Sequence, residues 1–369
     1  MENCLVRLTG LILTRISKGS KCCEIFTARK YTTSKRQSRK KHVYENIHPW
    51  KSLDEFSTSL LDNHLLYCHD GLVALNKPYG ISGRTVFDKD GSKLKSENDI
   101  PNSVNYTLTD AIPHIKRTLG YSSLEPIKIP EKYTSGVALF AVNEEIKQKV
   151  MKCFREAQSI KVIPRTYWVV TRYMPKEQEG HKHLAMKLQR SPCKTYTVPV
   201  IINNWTHMEQ KRRDIKILNV DFKVLSNSTQ NLSTLLQIKT STTKWHALRL
   251  FAATTLNSPI LGDRIRGSLI QEVMGSRVKI SPFVDAAHRP PSIKAEILEL
   301  LSLSSKEQLI IPAHIHLRKL YLPSYYGRYD GLTLTAPLMP EFEWTCEKLQ
   351  FKLPKEEDQI PKDGAEIAL

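Results

Sequence analysis

The sequence is short of acidic residues and cysteines, and it has no long apolar run. Its 369 residues include 37 Asp and Glu against 55 Lys and Arg, which gives a formal net charge of +18. The seven cysteines are odd in number and lack Cys-x-x-Cys spacing, so neither a disulfide framework nor a structural zinc site is expected. No stretch approaches about 18 consecutive apolar residues, and we therefore expect no membrane-spanning helix.

Several catalytic signatures are also missing. There is no Gly-x-Ser-x-Gly elbow and no phosphate-binding loop, which removes two common routes to hydrolase or nucleotide chemistry. His181, His183 and His207 lie in a polar segment without metal-ligand spacing, so we expect them to be solvated. We therefore predict no metal site.

The basic excess is shared between the start of the chain and the rest of it. Residues 1–41 carry eleven basic residues and two acidic ones. A basic body favours a polyanionic partner, most often nucleic acid, although a positive charge also serves plain solubility. A second basic region, within Lys182–Arg213, is predicted either to contact phosphates or to form a solvated loop.

The first 31 residues have the composition of a mitochondrial transit peptide. They are rich in Lys, Arg and hydroxyl residues, poor in acids, and carry apolar residues spaced along a possible helix. Arg29 and Tyr31, followed by Thr32, are typical of a matrix-protease cleavage site. Arg15 interrupts the apolar run that a secretory signal requires, and a disordered basic tail is the other alternative. We predict a transit peptide at residues 1–31 and localisation in the mitochondrial matrix.

The remaining chain alternates helical and strand patterns without a regular βαβ repeat. Hairpin-like pairs dominate, which predicts an α+β fold with a mixed, mainly antiparallel sheet. Residues 32–65 are predicted to be a flexible linker and a short helix, 66–345 the main domain, and 346–369 a charged disordered tail. Further helices are predicted at 109–119, 144–157, 246–256 and 293–303, strands at 72–76, 137–142, 166–171, 220–225, 235–239, 314–322 and 332–336, and loops at 82–104 and 174–195.

The segment Lys128–Phe140 is predicted to be a polar turn followed by an apolar strand. It resembles the His-Arg-Leu-Asp-x-x-Thr-Ser-Gly motif of RluA-type RNA pseudouridine synthases, aligned on Thr134–Gly136. Glu131 stands at the position of the aspartate that starts the chemistry in that family. Residues 111–213 contain no Asp, so no neighbouring aspartate can replace it by a small register shift. The residues at Lys128–Pro130 differ from those of the family.

Two further segments resemble the same family. Asp70–Ile81 has an acidic residue, an apolar strand and an Asn-Lys-Pro-x-Gly turn from which Lys77 projects. Arg165–Val170 resembles the family's Lys-x-Tyr strand, in which the tyrosine lies against the target base. Tyr167 occupies that position here. Taken alone, the turn is an ordinary turn and the tyrosine an ordinary core residue, and the common order of the segments favours the resemblance.

A last pair of segments, Thr243–Phe251 and Asn257–Gly267, resembles the family's Gly-Arg-x-His-Gln-x-Arg motif and the Pro-Ile-x-Gly-Asp run after it. Lys244 stands at the first arginine, while His246 and Arg249 match the histidine and the second arginine. In the family this second arginine pairs with the catalytic carboxylate. Such a pair orients the carboxylate and lowers its pKa.

The resemblance implies a pseudouridine synthase fold with a central cleft and isomerisation of uridine to pseudouridine in mitochondrial rRNA, mRNA or tRNA. It implies that the main domain is catalytic and that no cofactor is used. Glu131 would be the catalytic carboxylate, Arg249 its partner and Tyr167 the residue against the base. The residues expected to contact substrate are Lys77, Thr134, Lys244 and His246.

The glutamate leaves an alternative open. Glu is one methylene longer than Asp, which moves the carboxylate by on the order of 1 Å, and such a displacement can cost ~10²-fold in rate. The alternative is therefore a catalytically inactive RNA-binding factor of the same fold, acting in mitochondrial ribosome assembly or RNA metabolism. A basic scaffold protein without RNA contact is a third possibility, which the ordered run of motifs disfavours.

Overall fold

The computed structural model describes residues 41–84 and 104–354. The helices in these ranges are α1 Leu53–His64, α2 Leu108–Thr118, α3 Glu144–Ser159, α4 His207–Lys211, α5 Ala247–Thr254, α6 Ala295–Leu300 and α7 Pro340–Lys348. The strands are β1 Leu65–His69, β2 Leu72–Lys77, β3 Glu125–Lys128, β4 Ser135–Ala141, β5 Arg165–Thr171, β6 Glu179–Arg190, β7 Thr197–Ile202, β8 Ile215–Asn227, β9 Thr234–Thr240, β10 Ile270–Val273, β11 Ser276–Lys279, β12 Ile315–Gly327 and β13 Asp330–Thr335. The predicted transit peptide lies outside the described residues, as does most of the loop predicted at 82–104.

Eleven of these strands form one sheet. Its order is β1-β2-β4-β12-β5-β9-β8-β6-β7, with β3 paired to β4 and β13 paired to β12, while β10 and β11 form a separate ribbon. The pairs are antiparallel except for β4 and β12, which run parallel. The predicted α+β fold with a mixed, mainly antiparallel sheet is confirmed.

The middle of the sheet is buried on both faces, which explains the continuous apolar runs of β2 and β4. Successive side chains of a strand point to opposite faces. In β2, Val73 and Leu75 belong to a core cluster with Phe56 of α1, while Leu72 and Ala74 belong to the larger core on the other face. Residues at alternate positions therefore join two separate cores, and β2 holds them together.

Helix α3 begins where the sequence predicts. The side chain of its N-cap, Asn143, accepts a hydrogen bond from the backbone N–H of Ile146 at 2.9 Å. Such a bond satisfies one of the four N–H groups that a helix start leaves unpaired. The helix packs against β4 and β12. None of the described helices is both long and apolar enough to cross a membrane.

The prediction of a loop at residues 174–195 is wrong. Residues Glu179–Arg190 form β6, which pairs with β7 on one side and β8 on the other. Only Leu184–Met186 is buried, and the rest of the strand is exposed or half-buried. The strand lies near the edge of the sheet, and its Lys and His side chains point into solvent. Its sequence therefore lacks the regular alternation of apolar and polar residues that predicts a strand. The helix predicted at 293–303 is also shorter, and covers Ala295–Leu300.

The packed core extends past both predicted limits of the main domain. Tyr44 is 1% exposed, and its hydroxyl lies 2.7 Å from Oγ1 of Thr345 in α7. A buried tyrosine hydroxyl needs such a partner. Cys346 and Phe351 are buried as well. The predicted limits at residues 66 and 345 therefore do not mark the edges of the core.

Two glycines allow the chain to approach itself closely beside the parallel pair. Gly136, at φ +112°, lies against the backbone of Leu317 in β12, and an added Cβ would collide with that backbone. Gly262, at φ +75°, lies in the same way against the backbone of Pro312. Only glycine adopts such φ values without strain. Both glycines belong to segments that carry the family resemblance, and both are required where the C-terminal strand crosses the earlier part of the chain.

We expect Gly136→Ala to lower the free energy of unfolding by about 3 kcal/mol or more, because the β12 backbone must move in addition to the strain of a positive φ. Gly120→Ala is the matched control. Gly120 has φ +74° with nothing within 4 Å of an added Cβ, so it should lose only about 1–2 kcal/mol. Urea unfolding measures both values. Equal losses would show that the close approach to Leu317 is not needed.

Candidate active site

A cavity of about 110 Å³ opens between the turn before β4, the start of β5, the first turn of α5 and the inner face of β12. Five of the residues predicted for the site line it. Its polar lining is Lys128, Glu131, Thr134, Arg165, Tyr167, Thr243, His246 and Arg249, and its apolar lining includes Ile129, Val137, Phe154, Leu248, Ile315, Leu317 and Leu320. Segments far apart in the sequence therefore meet in one pocket that is polar at one side and apolar around it.

Glu131 lies on a turn that the surrounding backbone holds in place. The backbone N–H of Thr134 donates to the carbonyl of Glu131 at 3.0 Å, which closes the turn. The carbonyl of the next residue, Lys132, accepts from the backbone N–H of Gly80 at 2.9 Å. The turn is thus tied to the segment after β2, and the carboxylate starts from a fixed point.

The carboxylate of Glu131 lies beside an imidazole and a guanidinium. Its Oε2 lies 3.0 Å from Nδ1 of His246 and 3.9 Å from Nε of Arg249. A carboxylate oxygen only accepts hydrogen bonds, so Nδ1 of His246 carries the hydrogen in this contact. The structure brings Glu131 and Arg249 together, but His246 is the nearer of the two partners.

Arg249 is held chiefly by a different carboxylate. Its Nη1 donates to Oδ1 of Asp263 at 2.8 Å, and its Nη2 donates to the carbonyl of Tyr133 at 3.2 Å. Arg249 is 3% exposed and Asp263 is fully buried. Because Tyr133 lies on the Glu131 turn, Arg249 links helix α5, that turn and the Asp263 turn.

These neighbours set the pKa of the Glu131 carboxyl below its usual value. Burial acts in the opposite direction, but the hydrogen bond and charge of His246 and the charge of Arg249 outweigh it. Burial likewise works against the charge of Arg249, while Asp263 and Glu131 raise its pKa above the ordinary value. At neutral pH the cavity therefore holds an ionised carboxylate beside a permanent cation.

His246 reaches Glu131 from a strained piece of backbone. Trp245 and His246 both have positive φ, at 58° and 56°, directly before α5 begins at Ala247. Non-glycine residues in this region carry a cost of roughly 1–3 kcal/mol each. The His246 ring does not cap the helix, and it is turned towards Glu131 instead. Strain of this kind is concentrated at functional sites.

Tyr167 and Thr134 lie in the wall of the cavity. Each of them is 5% exposed. Burial raises the pKa of the Tyr167 hydroxyl to about 12, and the negative charge of Glu131 acts in the same direction. Tyr167 therefore remains a phenol at neutral pH, with a ring and a hydroxyl to offer a planar ligand.

Lys77 supports the Glu131 turn from beneath. It is fully buried, and its Nζ donates to the carbonyls of Pro78 at 3.0 Å, Ile81 at 2.9 Å and Lys132 at 3.2 Å. Burial lowers its pKa to about 7, and the charge of Glu131 opposes this shift. Three carbonyls match the three N–H groups of an ammonium. In this structure Lys77 contacts the turn, and it does not line the cavity.

The mouth of the cavity is positive. Lys128 and Arg165 both lie over the ring of Phe154, at 6.0 and 5.0 Å from its centre. Burial lowers the pKa of Lys128, as do the charges of Arg165 and Lys244. Lys244 is exposed beside this group and does not line the cavity itself. The predicted substrate contact of Lys244 therefore stays a prediction, at the rim and not within the pocket.

Asp263, Lys128 and Phe154 were not expected in the site. The aspartate is visible in the Pro-Ile-Leu-Gly-Asp run, but nothing in the spacing shows that it meets Arg249. Phe154 follows the apolar period of α3 and has no polar signal at all. Lys128 stands where the family has histidine, and its position before Glu131 was the one available indication.

The basic region within Lys182–Arg213 lies away from the cavity. None of its residues lines the pocket, and Lys182 and Lys187 pair with Glu177 and Glu209. His181 contacts Asp221, and His183 contacts Asn219. Within the described ranges, no group of three His, Cys, Asp or Glu side chains could hold a metal ion.

Comparison with known proteins is consistent with this geometry. A family model described as RNA pseudouridylate synthase matches residues 71–254. The mitochondrial pseudouridylate synthase RPUSD4 of Mus musculus is 25% identical over 307 residues, which covers 80% of this chain and 72% of that protein. The mitochondrial mRNA pseudouridine synthase RPUSD3 of Homo sapiens is 27% identical over 288 residues, or 76% and 74% of the two chains.

A solved structure shares the fold. The human protein named RNA pseudouridylate synthase domain containing 4 matches with a TM-score of 0.59 at 21% identity. The match covers 82% of this chain and 98% of that one. The matched family region contains Glu131, Tyr167 and Arg249 but ends before Asp263.

We expect Asp263→Asn to lower the free energy of unfolding by roughly 3 kcal/mol, because it leaves the buried Arg249 without its charged partner. The control is Asp221→Asn, which removes the carboxylate of the exposed pair with His181. That change should cost less than about 1 kcal/mol. Urea unfolding at pH 7 measures both. A similar small loss for the two variants would contradict an anchoring role of Asp263.

Proposed function

The chain belongs to the RluA-type RNA pseudouridylate synthase family, and we propose that it modifies mitochondrial RNA with Glu131 as its catalytic carboxylate. It is an isomerase that converts uridine to pseudouridine within RNA. One observation carries the assignment of Glu131: its carboxylate lies in the same cavity as Tyr167 and Arg249, which come from distant parts of the chain.

The reaction needs an ionised carboxylate at the sugar. The bond between N1 of uracil and C1′ of ribose breaks, the base turns, and a bond forms between C5 and C1′. The proton on C5 is lost and N1 gains one, so the overall change is an isomerisation that needs no oxidant or added group. A carboxylate facing the ribose can start this sequence by covalent catalysis. The lowered pKa of Glu131 keeps it ionised for that step.

The remaining polar residues suit a uracil base beside that carboxylate. Tyr167 offers a ring that can pack against the base and a protonated hydroxyl that can hydrogen-bond to it. Arg249 is permanently charged and buried, so it stabilises the carboxylate without titrating. Ile315, Leu317 and Leu320 of β12 form an apolar wall that excludes water from the reacting bonds.

The charge around the cavity fits a nucleotide substrate. A uridine in a chain carries phosphates on both sides, and the Glu131 carboxylate would repel them at short range. Lys128 and Arg165 at the mouth offset that repulsion, and Phe154 holds both cations in place. A target nucleotide that is turned out of its RNA strand could therefore place its base in the cavity and a phosphate at the mouth.

The mitochondrial part of the proposal has two supports. The relatives RPUSD4 and RPUSD3 are named as mitochondrial. The composition of residues 1–31 is typical of a transit peptide for the matrix. Import into the matrix would bring the enzyme to mitochondrial rRNA, mRNA and tRNA.

We expect Glu131→Gln to abolish pseudouridine formation while RNA affinity stays within about two-fold, because the amide keeps the size of the side chain but not its charge or nucleophilicity. Glu125→Gln is the matched control, since Glu125 lies on the preceding strand in an exposed pair with Lys147. Chemical pseudouridine mapping of mitochondrial RNA from cells that express each variant gives the readout, with RNA binding measured by fluorescence anisotropy.

Each outcome of this experiment has a clear meaning. Loss of pseudouridine with Glu131→Gln, but not with Glu125→Gln, supports the role of Glu131. Equal amounts with wild-type protein and Glu131→Gln would remove Glu131 from the mechanism. RNA binding by the wild-type protein without any change of the pseudouridine map on its removal would favour the non-catalytic RNA-binding alternative.

We expect deletion of residues 1–31 to leave a fluorescently tagged protein in the cytosol, because the import signal is lost. Fusion of residues 1–31 alone to a reporter should direct that reporter to the mitochondrial matrix, and protease protection in isolated mitochondria distinguishes the matrix from the outer surface. Mitochondrial import of the deleted protein would contradict the assignment of the transit peptide.

A further inference from the structure

Glu131 has a longer side chain than an aspartate, and it needs a hydrogen-bond partner to hold its carboxylate in one orientation. Glu has one more rotatable bond than Asp, and an unheld carboxylate would spend part of its time away from the substrate. In this structure the carboxylate is held by His246, with Oε2 and Nδ1 3.0 Å apart. This distance is a normal hydrogen bond.

Arg249 does not make that bond. Its Nη1 and Nη2 are used by Asp263 and by the Tyr133 carbonyl. The nearest atom, Nε, lies 3.9 Å from Oε2 of Glu131. This distance exceeds that of a hydrogen bond, although a charge at this range still stabilises the carboxylate. Arg249 therefore stabilises the charge of the Glu131 carboxylate, and another group must fix the orientation of that carboxylate.

The backbone places His246 for this contact. Trp245 and His246 form two consecutive left-handed residues, neither of which is glycine. The resulting turn starts α5 and directs the imidazole to the Glu131 turn and not to the free N–H groups of the helix. A conformation that costs stability at this one point is explained if the ring has a task there.

We propose that His246 is the positioning residue for Glu131 in this enzyme, fixing the direction of the carboxylate by its Nδ1–H hydrogen bond while Arg249 fixes its charge. The proposal rests on the catalytic role of Glu131 proposed above. It gives His246 a different task from the substrate contact that the sequence resemblance implies.

The arrangement also predicts a pH effect. The ionisable groups that face Glu131 come from four parts of the chain and include His246 with Arg249, Asp263, Lys77 and Tyr167, while Lys128 and Arg165 line the same cavity. Burial raises the pKa of Glu131, and the contacts of His246 provide the leading opposition. Removal of the hydrogen bond therefore raises the Glu131 pKa. Activity that needs the ionised form is lost as pH falls through that pKa, so the acid limb should move to higher pH.

The test compares His246→Asn with His246→Gln. The amide nitrogen of Asn lies near the place of Nδ1, whereas that of Gln lies near the place of Nε2 and does not face Glu131. Asn also tolerates positive φ better than most residues. We expect His246→Asn to keep single-turnover kcat within about five-fold and His246→Gln to lose about 10–100-fold. RNA affinity should change by less than about two-fold in both.

The same His246 substitution in a Glu131→Asp variant isolates the contribution of the contact between Glu131 and His246. In Glu131→Asp the shorter carboxylate no longer reaches the imidazole, so adding His246→Gln should lower the rate by less than about three-fold. The acid limb of kcat should move to higher pH for His246→Gln and less for His246→Asn. Urea unfolding of both single variants controls for a general loss of structure.

Two results would overturn the proposal. Equal kcat values and equal acid limbs for His246→Asn and His246→Gln would exclude a directed hydrogen bond. A loss confined to RNA affinity would make His246 a substrate contact instead. Both results leave the wild-type enzyme active and dependent on Glu131, whereas failure of the proposed function would appear as activity that Glu131→Gln does not change.

Discussion

The structure of the site depends on one buried guanidinium. Arg249 joins the helix that carries it to the turn at Asp263 and to the turn that carries Glu131. A buried charge is stable only when it is paired and hydrogen-bonded, and Asp263 provides that pair in a place without solvent. The Glu131 carboxylate lies at longer range, 3.9 Å from Nε of Arg249, so its position can vary with the side chain while the guanidinium stays fixed. This separation explains how a glutamate fits at the position where the motif described above has an aspartate.

The scaffold around this ion pair is set by close backbone contacts. Gly136, at the start of β4, lets Leu317 lie directly against that strand. Gly262, next to Asp263, lets Pro312 approach in the same way. The same segment gives the cavity its apolar wall. Lys77 closes the arrangement from below through three carbonyls. Backbone contacts thus fix the place of the pocket, and side chains decide its chemistry.

Much of this could be predicted from the sequence, for identifiable reasons. The apolar run of β2 and the capped start of α3 are local signals, and they were visible because burial and helix capping act on neighbouring residues. The strand β6 was missed because only Leu184–Met186 is buried there. The pairing of Arg249 with Asp263 and the left-handed turn at Trp245 arise from tertiary packing, which spacing does not encode. The direct contact of Glu131 with His246 was hidden for the same reason.

The parallel pairing of β4 with β12 has a consequence for how the enzyme is made. Its register joins Ser135 to His316 and Gly136 to Leu317, so the two halves of the pocket are separated by most of the domain. Contacts between such distant residues form late, because a long loop must close first. A growing chain on the ribosome has Glu131, Tyr167 and Arg249 long before it has the wall that completes their pocket. The pocket is therefore complete only after Ile315, Leu317 and Leu320 of β12 have been synthesised.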